Sequence, residues 1–127
     1  RTYIYTTASP PHLAAGVLKS IEIMRSEPWR RQRLAALAER LYGKLKLRKW
    51  CLLASQTAIQ PLIVGENSEC VHLSEVLAAT GILVPAIRPP TVAKGSARLR
   101  ISLSAAHAEA EVDHLIDALQ RAEALLS

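Results

Sequence analysis

The sequence predicts an α+β two-layer sandwich, in which helices cover one face of a small, mostly antiparallel sheet. Residues 10–43 carry apolar side chains at helical spacing, whereas the remainder alternates short apolar runs with further helical patterns. Half of the 127 residues are hydrophobic (50%), which is enough for one buried core in one domain.

The amino-terminal end predicts a short extended segment over residues 2–7, followed by a helix that ends near Ser26. Ser9 can cap this helix, and Pro10 can occupy its first position without losing a hydrogen bond. The apolar residues of the helix recur at helical spacing: Leu13, Val17, Leu18, Ile21 and Met24.

A second helix is predicted to start at Ser26 or Glu27, just before Pro28, and to stop at Gly43. It begins with the densest run of positive charge in the chain, residues 30–33, which reads RRQR. A run of this kind is typical of a solvated helix face.

Two strands, a helix and a third strand are predicted in the middle of the chain. The strands span residues 49–55 and 58–64, and Pro61 indicates an edge position or an interruption in the second. Residues 68–81 are predicted to form a helix, and residues 82–87 a short apolar strand.

The last strand, over residues 97–104, shows the clearest alternation. Leu99 and Ile101 point to one face, and Arg98 and Arg100 to the other. An amphipathic terminal helix follows, with apolar residues at helical spacing: Val112, Leu115, Ile116 and Leu119.

Composition narrows the functional classes. The net charge of +5 is compatible with a nucleic acid, an anionic metabolite or neither as the partner, but an aromatic content of 4% argues against a base-stacking surface. No apolar run reaches the length of a membrane span, and neither cysteine, Cys51 or Cys70, lies in a metal-ligand pattern. We therefore expect no nucleic acid, membrane or metal site, and reduced thiols in a reducing compartment.

Three groups of residues could bind an anion. Arg98 and Arg100 could hold a carboxylate or phosphate on a rigid strand, Thr91 stands behind two adjacent prolines, and Thr6 and Thr7 precede a helix. Each has an ordinary alternative: solvent-facing charges, a stiff connection, and polar residues of an edge strand. The four histidines share no metal or catalytic motif, and no catalytic residue is predicted.

Three stretches carry a resemblance: "YIYTTASPP", "IQPLIVGENS" and "GILVPAIRPPTVAKGSARLRISLSAAH". Along essentially its whole length the chain resembles the 8-amino-7-oxononanoate synthases, the biotin-pathway branch of the α-oxoamine synthases. These are pyridoxal-phosphate enzymes of the aspartate-aminotransferase fold. Sister enzymes, such as the 5-aminolevulinate synthases and glycine C-acetyltransferases, share the TT…PP and RLR elements but usually lack AIRPPTV in this form.

The resemblance implies that residues 1–127 are the C-terminal small domain of a longer protein. Residues 1–26 would be the crossover segment and long helix leading in from a large domain, and residues 27–127 the sandwich. The large domain carries the lysine that forms the Schiff base, and Lys94 does not match that motif. The chain also starts without Met. We therefore expect it to be inactive alone and not to hold the cofactor.

The resemblance also assigns residues and partners. Arg100 matches the arginine that holds the amino-acid carboxylate, Thr91 a substrate-contacting threonine, and Thr6 and Thr7 a pair that reaches a cofactor phosphate bound mainly by the other subunit of a dimer. The implied substrates are L-alanine and pimeloyl-CoA or pimeloyl-acyl carrier protein, in a cytoplasmic homodimer. Two alternatives stay open: another α-oxoamine synthase, using glycine or serine, and a stand-alone anion-binding module.

The chain departs from the family pattern at three positions. Ser9 stands where Leu is common. Ala93 replaces a proline, which removes a backbone restraint on the loop. Ala108 replaces a threonine that would cap the last helix, a loss of about 1 kcal/mol unless His107 or another group substitutes for it.

Overall fold

The computed structural model describes Ala8 and residues 10–126, and it divides the chain into two compact units, residues 1–30 and 31–127. The elements in chain order are α1 (Pro11–Ser26), α2 (Trp29–Lys44), β1 (Cys51–Leu52), β2 (Ile59–Gly65), α3 (Asn67–Ala79), β3 (Ala86–Ile87), β4 (Ala97–Ser102) and α4 (Glu109–Leu125).

Helix α1 starts one residue later than predicted. Pro11 is its first residue, and Pro10 is the N-cap, with φ −57° and ψ 133°. The reason is steric, because a residue that precedes proline is disfavoured in the helical region. The helix ends at Ser26, as predicted. The expected cap, Ser9, and the extended segment over residues 2–7 lie outside the described residues.

An apolar stripe on α1 is open to solvent in this chain. None of the residues of α1 is buried. Leu18 is 69% exposed, and four further apolar side chains of the helix are also exposed: Leu13, Val17, Ile21 and Met24. The apolar residues that recur at helical spacing in α1 are therefore not covered by the rest of the described chain. Across the described part of the chain, no helix is both long and apolar enough to span a membrane.

The second unit contains a four-stranded sheet in the order β1-β2-β4-β3, and all neighbouring strands are antiparallel. One face of the sheet packs on helices. The buried apolar residues come from α2, α3, β2, β4 and α4, among them Leu37, Leu41, Leu62, Leu73, Leu77, Leu99, Ile101, Leu115 and Leu119. This arrangement confirms the predicted α+β fold, and burial of each such side chain contributes about 2 kcal/mol.

Pro61 lies inside β2, a central strand that runs through it without a break, so the edge position and the interruption considered from the sequence are both wrong. The N–H of Leu53 donates to the carbonyl of Pro61 at 2.9 Å, and proline has no N–H to return to Leu53. The hydroxyl of Tyr42, on α2, donates to the Leu53 carbonyl instead. Consequently β1 is only two residues long, where residues 49–55 were predicted.

The strand predicted over residues 82–87 is shorter for a similar reason. Only Ala86 and Ile87 pair with β4. The hydroxyl of Ser74, on α3, donates to the carbonyl of Val84 at 2.6 Å, which turns that carbonyl towards the helix layer rather than along the sheet. Ordinary variation of one or two residues accounts for the differences at the helix ends.

Both cysteines are free thiols, as expected from their spacing. Cys51 is exposed on β1, and Cys70 is buried in the core. Burial raises the pKa of the Cys70 thiol, and the nearby Glu69 carboxylate raises it further. Cys70 therefore packs as a small apolar residue.

Candidate substrate-binding site

The candidate site lies on the face of β4 that points away from the helices. Along β4 the burial alternates: Leu99 and Ile101 are buried, whereas Arg100 and Ser102 are exposed. The orientation predicted for Arg100 is thus the one that the structure shows. A guanidinium on a strand is held by the sheet, which makes it a well-defined partner for a carboxylate or phosphate.

Arg98 and Arg100 leave the same face of β4 but differ in their contacts. Arg98 is half-buried, and its Nε donates to the carbonyl of Ser96 at 3.1 Å. Ser96 is itself held, since its hydroxyl donates to the carbonyl of Ala93 at 2.6 Å. The guanidinium of Arg100 makes no hydrogen bond or ion pair with any of the described residues. Arg100 is therefore the arginine that can receive an anion from outside the sheet.

The surface around Arg100 is largely apolar. Pro61 lies directly opposite Arg100 on β2, and Ile63 lies opposite Arg98. Ile59, further along β2, is 45% exposed. An apolar surround strengthens a guanidinium–carboxylate contact because less water competes for either partner.

A groove of about 560 Å³ runs beside Arg100, between residues 81–85, the end of β4 and the first turns of α4. Arg100 is the single arginine or lysine that lines it. The lining is otherwise mainly apolar and includes Ile82, Leu83, Val84, Leu103 and Leu115. A cation at the wall of an apolar groove suits a ligand with one anionic group and an apolar part.

Thr91 lies in the loop that joins β3 to β4, so it belongs to the same hairpin as Arg100. Its N–H donates to the carbonyl of Arg88 at 3.0 Å, across the cis peptide bond between Pro89 and Pro90. The side chain is exposed, and its hydroxyl has no hydrogen-bond partner among the described residues. The hydroxyl is available to a ligand, and its role stays a prediction.

The two grooves of the second unit differ from a cofactor site in the lysine that such a site needs. No lysine lines the groove beside Arg100 or the second groove, of about 510 Å³, between α2 and residues 55–58. Lys94 is exposed in the loop between β3 and β4. Thr6 and Thr7 lie outside the described residues, so their proposed contact with the cofactor phosphate stays a prediction.

Two arginines of α2 make contacts that the sequence pattern did not reveal. Arg33 donates to the carbonyls of Ala105 at 3.0 Å and His107 at 2.9 Å, which holds the turn between β4 and α4 at the end of the groove. Arg40 pairs with Asp113 of α4 at 2.6 Å. Their spacing of seven residues places both on one helix face. The spacing could have indicated that Arg33 and Arg40 contact the same neighbouring element. It could not have identified that element, because their partners are more than 70 residues away in the sequence.

Comparison with protein families agrees with this architecture. Residues 1–119 match the family model described as aminotransferase class I and II. The chain belongs to this family.

Curated relatives extend the family assignment. The chain is 58% identical over 120 residues to the 8-amino-7-oxononanoate synthase of Nitrosomonas europaea, covering 94% of this chain and 31% of the relative. It is 50% identical over 123 residues to the enzyme of the same name from Methylobacillus flagellatus, covering 97% and 31%. The resemblance inferred from the motifs is confirmed, and this family member spans about a third of the length of these relatives.

Solved structures give the same fold. A serine palmitoyltransferase from S. paucimobilis, in complex with a pyridoxal-phosphate adduct of myriocin, matches with a TM-score of 0.82 at 27% identity, covering 93% of this chain and 30% of that one. An 8-amino-7-oxononanoate synthase from Francisella tularensis matches with a TM-score of 0.74 at 24% identity, covering 99% and 36%. At that identity the second match supports the fold alone.

Proposed function

We propose that this chain is the substrate-binding C-terminal domain of a pyridoxal-phosphate-dependent acyltransferase. The complete enzyme would condense L-alanine with a pimeloyl thioester, lose carbon dioxide and yield 8-amino-7-oxononanoate for biotin synthesis. The observation that carries this proposal is the guanidinium of Arg100, which is unpaired among the described residues and stands on the open face of β4 beside an apolar groove. The names of the relatives support the reaction.

In this proposal Arg100 binds and orients the amino-acid substrate. Its two terminal nitrogens donate paired hydrogen bonds to the two carboxylate oxygens, which fixes the direction of the bonds at the α-carbon. Pyridoxal phosphate, when bound, supplies an electron sink for charge that develops at that carbon. The contribution of this chain in the proposal is geometry: Arg100 binds the substrate and orients it.

Thr91 and the groove have supporting roles in the proposal. The Thr91 hydroxyl is exposed in the same hairpin as Arg100 and can hydrogen-bond a polar atom of the substrate. The apolar groove beside Arg100 offers space for a hydrocarbon portion and limits the access of water.

The assembly of the enzyme is also part of the proposal. Residues 1–26 would connect a large domain to the sandwich of residues 27–127, and the open face of the sheet would meet that large domain. Thr6 and Thr7 would reach the phosphate of a cofactor held mainly by the second subunit of a cytoplasmic homodimer. Alone, this chain would be inactive and would not retain the cofactor.

The decisive experiment compares Arg100→Ala with Arg98→Ala in the complete polypeptide encoded by the gene. We expect Arg100→Ala to raise the KM for L-alanine by about ten-fold to a hundred-fold, because hydrogen bonds to a charged group are lost. Arg98→Ala is the matched control, since Arg98 is already bonded to Ser96, and its KM should stay within about two-fold. An unchanged KM for Arg100→Ala would refute the assignment of the carboxylate site.

A second measurement separates the proposal from its nearest alternative. The complete enzyme is assayed with L-alanine, glycine and L-serine, each with a pimeloyl and a short-chain thioester. A preference for L-alanine with pimeloyl thioester supports the biotin-pathway reaction. A preference for glycine or serine instead identifies another α-oxoamine synthase on the same carboxylate site.

A further inference from the structure

We propose that Pro61 and Pro85 are positioning residues, which hold the side chain of Arg100 in the direction that receives a carboxylate. The inference rests on the proposed function of Arg100. It concerns two prolines on strands adjacent to β4, one on each side of the arginine.

The position of Pro61 follows from the hydrogen bonds of β2. Its carbonyl accepts the N–H of Leu53 at 2.9 Å, so the backbone of Pro61 faces β1 and not β4. Pro61 and Arg100 are direct partners in the register of β2 and β4. They therefore form the non-hydrogen-bonded kind of antiparallel pair, in which the side chains approach most closely, with Cα atoms about 4.5 Å apart.

Pro85 lies on the other side of Arg100. Its carbonyl accepts the backbone N–H of Arg100 at 3.0 Å, just before β3 begins. Pro85 and Arg100 both line the groove of about 560 Å³ described above. The backbone N–H of Arg100 therefore points towards Pro85 and away from Pro61, and the register places Arg100 between these two prolines across the sheet.

Two proline rings give the stem of an arginine apolar cover that does not move. The rings are apolar, so they can cover the methylene stem while the guanidinium stays in water. They are also rigid, because the ring fixes φ and leaves no side-chain rotation that could clear the space. Arg98, two residues away, is drawn back towards Ser96 and does not compete for this space. Arg100 is thereby ordered before the ligand arrives, which favours binding.

The test uses the complete enzyme with Pro61→Ala, Pro85→Ala and Pro61→Val. Ile63→Ala is the matched control, because Ile63 lies on the same strand and the same face but opposite Arg98. We expect each proline-to-alanine change to raise the KM for the amino acid about three-fold to five-fold, the size of a lost cross-strand contact, with kcat within about two-fold. Pro61→Val, which keeps apolar cover on the stem, should recover most of this loss.

A change that merely loosens the fold would lower the melting temperature and kcat in the Pro61→Ala and Ile63→Ala variants alike. Equal KM values for Pro61→Ala and Ile63→Ala, or equal loss in Pro61→Ala and Pro61→Val, would overturn the inference. Introducing Pro61→Ala into an Arg100→Ala enzyme should leave kcat/KM unchanged, since the residue it positions is absent. If Arg100→Ala itself leaves KM unchanged, the proposed function fails. If Arg100→Ala raises KM and neither proline variant does, only the present inference fails.

Discussion

The carboxylate of Asp113 accepts two hydrogen bonds from the guanidinium of Arg40, at 2.8 Å from Nε and 2.6 Å from Nη2. Lys44 adds a third contact with Asp113 at 3.0 Å, and Glu109 contacts Arg40 at 2.7 Å. The hydrogen bond from Arg40, followed by that from Lys44, holds the pKa of Asp113 well below its ordinary value of 3.8. These contacts join α2 to α4 beneath the turn that borders the groove.

This ion pair predicts an acid-dependent loss of stability. The pKa of Asp113 is lower in the folded than in the unfolded chain, so the unfolded chain binds more protons near pH 3.8. The contribution is therefore complete above that pH and is lost as the pH falls below it. We expect Asp113→Asn to lower the urea midpoint at neutral pH, and the difference from the parent chain to narrow below about pH 4. Asp117→Asn, an exposed position on α4, is the control, and a difference that stays constant with pH would contradict the prediction.

Ala108 predicts a stabilising substitution at the start of α4. Ala108 is the N-cap, with φ −78° and ψ 155°, and its N–H donates to the Glu111 carboxylate at 2.7 Å. This is one half of a capping box, since alanine has no side-chain oxygen that could accept the backbone N–H of Glu111. His107 does not substitute, because its Nδ1 accepts the N–H of Ser104 at 3.2 Å. Ala108→Thr should raise the free energy of unfolding by about 1 kcal/mol.

Ala108→Val is the control for that measurement, because valine has the shape of threonine without the hydroxyl. Chemical denaturation of the two variants compares them directly. Equal stability of the threonine and valine variants would show that capping is not the cause.

The contact of Tyr42 predicts that helix α2 stabilises the chain at Leu53, directly after the end of β1. The Tyr42 hydroxyl donates to the Leu53 carbonyl, to which Pro61 cannot donate because proline has no N–H. Tyr42→Phe should lower the free energy of unfolding by about 1 kcal/mol, because the carbonyl loses its donor. In a Pro61→Ala background the loss should be smaller, since alanine returns an N–H on the side that faces Leu53. An equal loss in both backgrounds, measured by chemical denaturation, would contradict this account.

The sequence was sufficient for the fold class and for the orientation of Arg100. Strand periodicity is a local property, so the alternation of Leu99 and Ile101 with Arg98 and Arg100 already placed the arginines on the face opposite the core. The family resemblance then selected Arg100 and Thr91 from among the polar residues of the hairpin. Helix positions were equally accessible, because caps and apolar spacing act within a few residues.

The sequence alone therefore determined which elements form, which side of β4 carries its charges and which family the motifs belong to. The tertiary structure decided which arginine is free, because Arg98 is half-buried and bonded to Ser96, whereas Arg100 is exposed. It also placed Pro61 in a central strand opposite Arg100, and paired Arg40 with Asp113. The last two contacts join residues that are far apart in the chain, and no local periodicity specifies which distant partner a side chain will meet.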